Sequence, residues 1–125
     1  MIRFSVPGTP PNLNSLIRDH WTKRRQAKAV WAQAVRISYL AKYGCSGLVT
    51  EQTTDPGRRR VSLDLQFKSR RRRDPDNFLK ATLDALVSAS LLSDDSADWV
   101  EIGSITFRVG DHVCTTITLQ EADGG

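Results

Sequence analysis

The sequence predicts a single α+β (α/β) domain: one mixed β-sheet with two packed helices, in the order β-α-β-α-β-β. Three observations lead there. Two stretches space their apolar residues at helical intervals. Four others alternate apolar and polar residues. The two kinds interleave along 125 residues, a length suited to one core and one domain.

The elements follow in order. Ile2, Phe4 and Val6 alternate with Arg3 and Ser5, which predicts a short opening strand. PGTPPNLN, with three prolines and a glycine in eight residues, then breaks regular structure. Ala27, Val30, Trp31, Ala34, Val35, Ser38 and Ala41 follow the i, i+3, i+4, i+7 rule of a helix, and Gly44 is its expected stop. Ile37 and Leu40 widen the stripe, as for a helix meeting more than one neighbour. Residues 44–59, rich in Gly, Ser, Thr, Pro and Asp, read as a loop. Val61, Leu63, Leu65 and Phe67 alternate with Ser62, Asp64, Gln66 and Lys68, the pattern of a half-buried strand. A second helix is expected from Pro75 to Ser90 or Leu91, with Leu79, Leu83, Leu86 and Val87 as its core stripe. Trp99–Val109 and His112–Leu119 complete the strands, and Gly110-Asp111 reads as a hairpin turn between them. The domain is expected to span 1–120, with 121–125 (EADGG) a disordered tail.

Composition narrows the function classes. The chain is 39% hydrophobic and has no apolar run near the ~18 residues that a membrane span needs, so no membrane partner is expected. The N-terminus lacks the apolar core of a signal peptide. Cys45 and Cys114 lie far apart with no CxxC spacing, which argues against a disulfide framework or a zinc site and for reduced packing residues in a cytoplasmic protein. The net charge is +4, and the cations are clustered: Arg18, Lys23, Arg24, Arg25 and Lys28; Arg58 to Arg60; Lys68 with Arg70 to Arg73. Three such clusters in a short chain point to a polyanion, nucleic acid first.

The most informative stretch is KSRRRRDPDNFLK, Lys68 to Lys80. Asp74-Pro75-Asp76-Asn77 can be read as a helix start alone, because Asp caps helices, Pro suits the first turn, and an acid there meets the positive end of the helix dipole. Asp76, Lys80 and Asp84 likewise fit an ordinary salt-bridged helix face at i, i+4, i+8. Yet the acids emerge at the mouth of a loop following a strand, where sites are commonly built. A further acidic group, Asp94-Asp95 with Asp98, follows the helix. Carboxylates are hard oxygen ligands suited to Mg²⁺, which usually takes one or two of them plus water and substrate phosphate. The metal would polarise a phosphoryl oxygen and activate water, a lysine would offset charge developing on phosphorus, and the arginines would hold the phosphate backbone. A non-catalytic DNA-binding module is the competing reading of the same residues.

Arg70 to Asp95, RRRRDPDNFLKATLDALVSASLLSDD, resembles the RusA family of Holliday junction resolvases, small dimeric nucleases often encoded by prophages. The shared elements are an arginine-rich lead, D-x-D-N, a lysine three residues after the Asn, D-A-L in the following helix, and a D-D pair about twenty residues on. VPGTPPNLNS, Val6 to Ser15, is similar to the family's proline-rich, asparagine-containing N-terminal motif. Two local departures stand out. Pro75 separates the first two acids, and Ser-Ala-Ser-Leu-Leu-Ser before the D-D pair stands where a glycine and an aromatic are often found.

The resemblance implies a Mg²⁺-dependent (or Mn²⁺-dependent), structure-selective endodeoxyribonuclease that resolves four-way DNA junctions by paired nicks in recombination and repair. It implies a homodimer, metal ligands at Asp74, Asp76 and Asp95, and catalytic roles for these three and Lys80. Asn14, Arg18, Lys23, Arg24, Arg25 and Arg70, Arg71, Arg72, Arg73 are the expected DNA contacts. The alternative is a protein that binds branched DNA without cutting it. One expectation concerns assembly. A helix of about 16 residues would be roughly 24 Å long, and the four or five residues after it reach back at most ~14–18 Å. Asp95 is therefore expected to complete the site of a second subunit rather than its own.

Overall fold

A computed structural model describes residues 1–11, 21–44, 57–70, 76–92, 94, 96 and 98–122, with the side chains of 21–24 and 76–77 outside the description. The elements are β1 (Ile2–Pro7), α1 (Trp21–Tyr43), β2 (Arg59–Phe67), α2 (Asp76–Ser88), β3 (Val100–Val109) and β4 (Cys114–Glu121), in the expected β-α-β-α-β-β order. They form one four-stranded mixed sheet, ordered β1-β4-β2-β3, with two helices. No helix among the described residues is long and apolar enough to cross a membrane.

Strand order follows from one local unit. β2, α2 and β3 make a strand–helix–strand crossover, so β3 lies parallel beside β2. That occupies one edge of β2. β4 takes the other edge, antiparallel to both β2 and β1. The expected β3–β4 hairpin is therefore corrected. Residues 110–113 carry the chain across the end of β2, from its one edge to the other. Gly110 N donates to Phe67 O at 2.9 Å, and the Gln66 amide donates to His112 O at 2.9 Å, so the end of β2 holds the connection from beneath. A glycine followed by an aspartate signals a reversal, and it cannot signal that a strand lies between the two arms.

The core is one cluster between the inner sheet face and the helices. β1 and β4 give it Phe4, Val6, Ile117 and Leu119, and β2 gives Val61, Leu63, Leu65 and Phe67. α1 buries Trp31, Val35 and Tyr39, while Val30 and Ile37 are 67% and 56% exposed, so its buried stripe is narrower than the sequence suggests. Gly44 ends α1 as expected: its φ is +82°, and its N–H donates to Leu40 O at 2.8 Å. α2 is buried more widely than its leucine stripe predicts. Phe78, Ala81, Thr82, Leu83, Ala85 and Leu86 are buried, and Leu79 and Val87 only partly so.

Two boundaries differ from expectation. α2 has 13 residues and ends at Ser88, where the chain reverses through Ser90 (φ 63°) and Leu91 N returns to Leu86 O at 2.9 Å. Arg59 fixes this reversal by donating to Leu91 O at 2.7 Å. The domain also runs past residue 120. Glu121 pairs with Arg59 in the β4–β2 ladder, and Ala122 N donates to Arg58 O at 3.1 Å, so the expected tail at 121–125 begins too early. Residues 123–125 lie outside the description.

Candidate functional site

The site is built at one end of the sheet. Register fixes which end: Pro7 of β1 pairs with Cys114 of β4, Cys114 with Gln66 of β2, and Phe67 with Val109 of β3. The carboxyl ends of the parallel pair β2 and β3 thus meet there, and the chain leaving β2 returns at the first turn of α2. Openings of this kind, at the carboxyl ends of parallel strands and beside a helix N-terminus, are where α/β sheets tend to receive ligands. α1 starts at the same end. Gln26, Ala27 and Val30 share a groove of about 500 Å³ with Pro7 and Pro11, while Lys42 and Tyr43 at its other end bond to the backbone of Arg3.

An aromatic triad anchors the start of α2. Phe78 sits 5.9 Å from Phe67 and 6.0 Å from Phe107, ring centre to ring centre, and Phe67 and Phe107 are 6.0 Å apart. Phe67 is the last residue of β2, so the triad ties the helix start to the ends of both parallel strands. Such pairs add about 0.5–1.5 kcal/mol each beyond their buried area. Sequence reasoning assigned Phe67 to a strand and passed over Phe78, because the leucines supplied a stripe without it. The signal available was that an aromatic directly follows the D-x-D-N pattern.

Among the expected chemical residues, Asp76 is the first residue of α2, with its side chain outside the description. Asp74 and Asp95 lie outside the described residues. Lys80 stands one helical turn along, 55% exposed, with its ammonium 3.3 Å from a carboxylate oxygen of Asp84. This is the ordinary i, i+4 pair, worth a few tenths of a kcal/mol at such exposure. Among the described residues no three Asp, Glu, His or Cys side chains gather as a metal site.

The basic residues divide. Arg25 of α1 and Arg70, just past β2, are exposed at or near this end, together with Lys68. Lys23 and Arg24 belong to the first turns of α1, with side chains outside the description; Asn14, Arg18, Arg71, Arg72 and Arg73 lie outside the described residues. The cluster at 58–60 is at the opposite end and is used in the fold. Arg59 holds the Leu91 carbonyl, and Arg60 pairs with Glu101 at 3.1 Å.

No protein-family model matches this chain, and no curated protein matches it.

The residues around Asp95 fall at the far end of the sheet. Ser96 O accepts from Trp99 N and Val100 N, each at 3.0 Å, and Trp99 O accepts from Arg59 N, so this turn caps the starts of β2 and β3. From there to Phe67, β2 extends roughly 26 Å. The shorter α2 alters the length argument for a shared site, since 13 residues span only about 20 Å. Topology replaces it: the turn next to Asp95 and the helix start bearing Asp76 occupy opposite ends of β2.

Proposed function

We propose that this chain is a divalent-metal-dependent, structure-selective endodeoxyribonuclease that acts on four-way junctions as a homodimer, in the manner of the RusA family it resembles. The observation that carries the reading is the convergence at one sheet end of three separate segments: the basic start of α1, the Lys68–Arg70 exit of β2, and the Asp76–Lys80 turn of α2. The described cations of these segments are Arg25, Lys68 and Arg70, and Lys80 follows one turn into α2.

Asp74, Asp76 and Asp95 would hold the metal. Carboxylates alone make a hard oxygen donor set that fits Mg²⁺ or Mn²⁺. The ion, when bound, would polarise the phosphoryl oxygen and lower the pKa of its water. Lys80 would offset charge on the phosphoryl oxygens. Its exposed ion pair with Asp84 is weak enough to yield to a phosphate. Arg25 and Arg70, with the arginines that follow it, would position the strand without reading bases.

The test is incubation with a synthetic four-way junction and a matched linear duplex, with and without Mg²⁺. Paired nicks in the junction alone, and only with metal, are expected. The competing reading of the same residues is a branched-DNA-binding protein that does not cut. It predicts junction retention without nicks in either condition, weakened chiefly by salt.

A further inference from the structure

The outer edge of β3 is the least explained surface of the fold. β3 is ten residues long, is the last strand of the sheet, and has no strand on its other side among the described residues. Its inner row pairs in register with the buried row of β2: Ile102 with Val61, Ile105 with Leu63, Phe107 with Leu65, Val109 with Phe67. Every residue in this row is apolar, yet Ile102 is 42% and Val109 51% exposed. Exposed edges are usually blunted by lysine or proline, and β3 has neither.

A bulge decides what this edge can pair with. Register slips by one residue between Val61/Leu63 and Ile102/Ile105, so β3 carries the extra residue at Gly103-Ser104. In a regular strand Glu101 and Arg108, an odd number of positions apart, would point to opposite faces. With the bulge they share the outer face, where Glu101 meets Arg60 at 3.1 Å and Arg108 meets Asp64 at 3.0 Å. Beyond the bulge, Ser104 N points at Ser62 and Gly110 N at Phe67 O. Strand alternation then turns the peptide groups of Ile105, Phe107 and Val109 to the open edge.

The geometry points to a second copy of this chain as the occupant, paired antiparallel through β3 about a two-fold axis at Ile105. That register sets Ile105 against itself, Ile102 against Phe107 of the second copy, and Glu101 against Arg108 of the second copy. The bulge falls opposite Thr106 in both copies. The charges then form a continuous row, Arg60 and Glu101 followed by Arg108 and Asp64 of the second copy, and its symmetric duplicate. A two-fold contact must be self-complementary, and this edge is so in charge and in apolar residues alike. A partner without the same bulge would lose the match, so the feature that discourages general edge pairing admits this one.

The test is a charge swap read by sedimentation over a dilution series, without DNA. Glu101→Arg and Arg108→Glu each place like charges together twice across the seam and are expected to weaken dimerisation roughly tenfold or more. The double swap is expected to recover part of the loss, because it re-forms the pairs across the seam while Arg60 and Asp64 lose their partners within the chain. Within one chain the two residues are about 20 Å apart along the strand, so rescue can arise only between copies, and circular dichroism checks that each variant folds. A wild type that stays monomeric, single swaps without effect, or a double swap no better than the singles would overturn the proposal. So would dissociation by Ile37→Lys, on the exposed stripe of α1, with the charge swaps inert. A monomeric wild type would remove the seam and the homodimer of the proposed function together, whereas inert swaps in a dimer would overturn the seam alone, and a dimer that does not nick would overturn the nuclease reading alone.

Discussion

Asp76 has two roles that a substitution can separate. It opens α2, and in the proposed site it is a metal ligand. Asn serves a helix start about as well as Asp, so Asp76→Asn should fold and still retain junctions in a gel shift, while metal-dependent nicking is lost. Nicking at the wild-type rate would remove Asp76 from the site. Leu86, fully buried in α2, is a purely structural counterpart. Leu86→Ala should cost about 3 kcal/mol, read from the midpoint of denaturant unfolding, without changing junction selectivity. At this scale the sequence is legible where side-chain chemistry is local. The D-x-D-N run and the Lys80–Asp84 spacing can be read directly. The burial of Phe78, Ala81, Thr82 and Ala85 cannot, because in a helix with apolar residues on most sides periodicity does not say which face meets the sheet and which meets α1.

At the scale of elements, all six were legible and one connection was not. Alternation in β2 and helical spacing in α1 and α2 report which residues an element buries, a property of each segment alone. Strand order depends on pairing between segments far apart in the chain. Gly110 sits in the misread connection. A β-carbon there would collide with the Gln66 side-chain amide, which can swing away only by giving up its bond to His112 O. Gly110→Ala should therefore cost about 1 kcal/mol, the worth of one hydrogen bond, detectable as a lowered melting temperature. The arginines that follow β2 in sequence give a second prediction. Replacing two of Arg70 to Arg73 with Gln should weaken binding on all duplex sequences alike and flatten the log affinity–log salt slope by about 0.9 per lost phosphate contact. An unchanged slope would assign these arginines to solvent.

For the whole molecule, the candidate site was legible as a list of residues and not as a place. Lys68–Arg70 and the basic start of α1 share one end of the sheet because α1 begins beside Pro7, at the end where β2 finishes. The turn after α2 lies at the other end because the helix returns the chain to the start of the parallel strand β3, and Arg59 there donates to Leu91 O. A site that needs both Asp76 and Asp95 is then most simply completed by a second subunit. Mixing and re-annealing inactive Asp74→Asn and Asp95→Asn subunits tests this. Shared sites leave the heterodimer one intact centre, so nicking of one junction strand should return. Sites built within one chain each keep a defect, and the mixture stays inactive.

The position of β4 has a consequence for synthesis. β4 follows every other element in the chain, yet it lies inside the sheet, between β1 and β2. Until it leaves the ribosome, β1 has no strand to pair with, and the inner edge of β2 is open. A nascent chain can form the local β2–α2–β3 unit early, but it must then wait, with Val61, Leu63 and Leu65 poorly covered, for β4. Joining β1 to β4 closes a loop of more than a hundred residues, the slow kind of contact. A stop codon before Thr115 would thus remove the middle of the sheet rather than trim its margin, and such a product should be cleared by proteases instead of accumulating as a shortened domain.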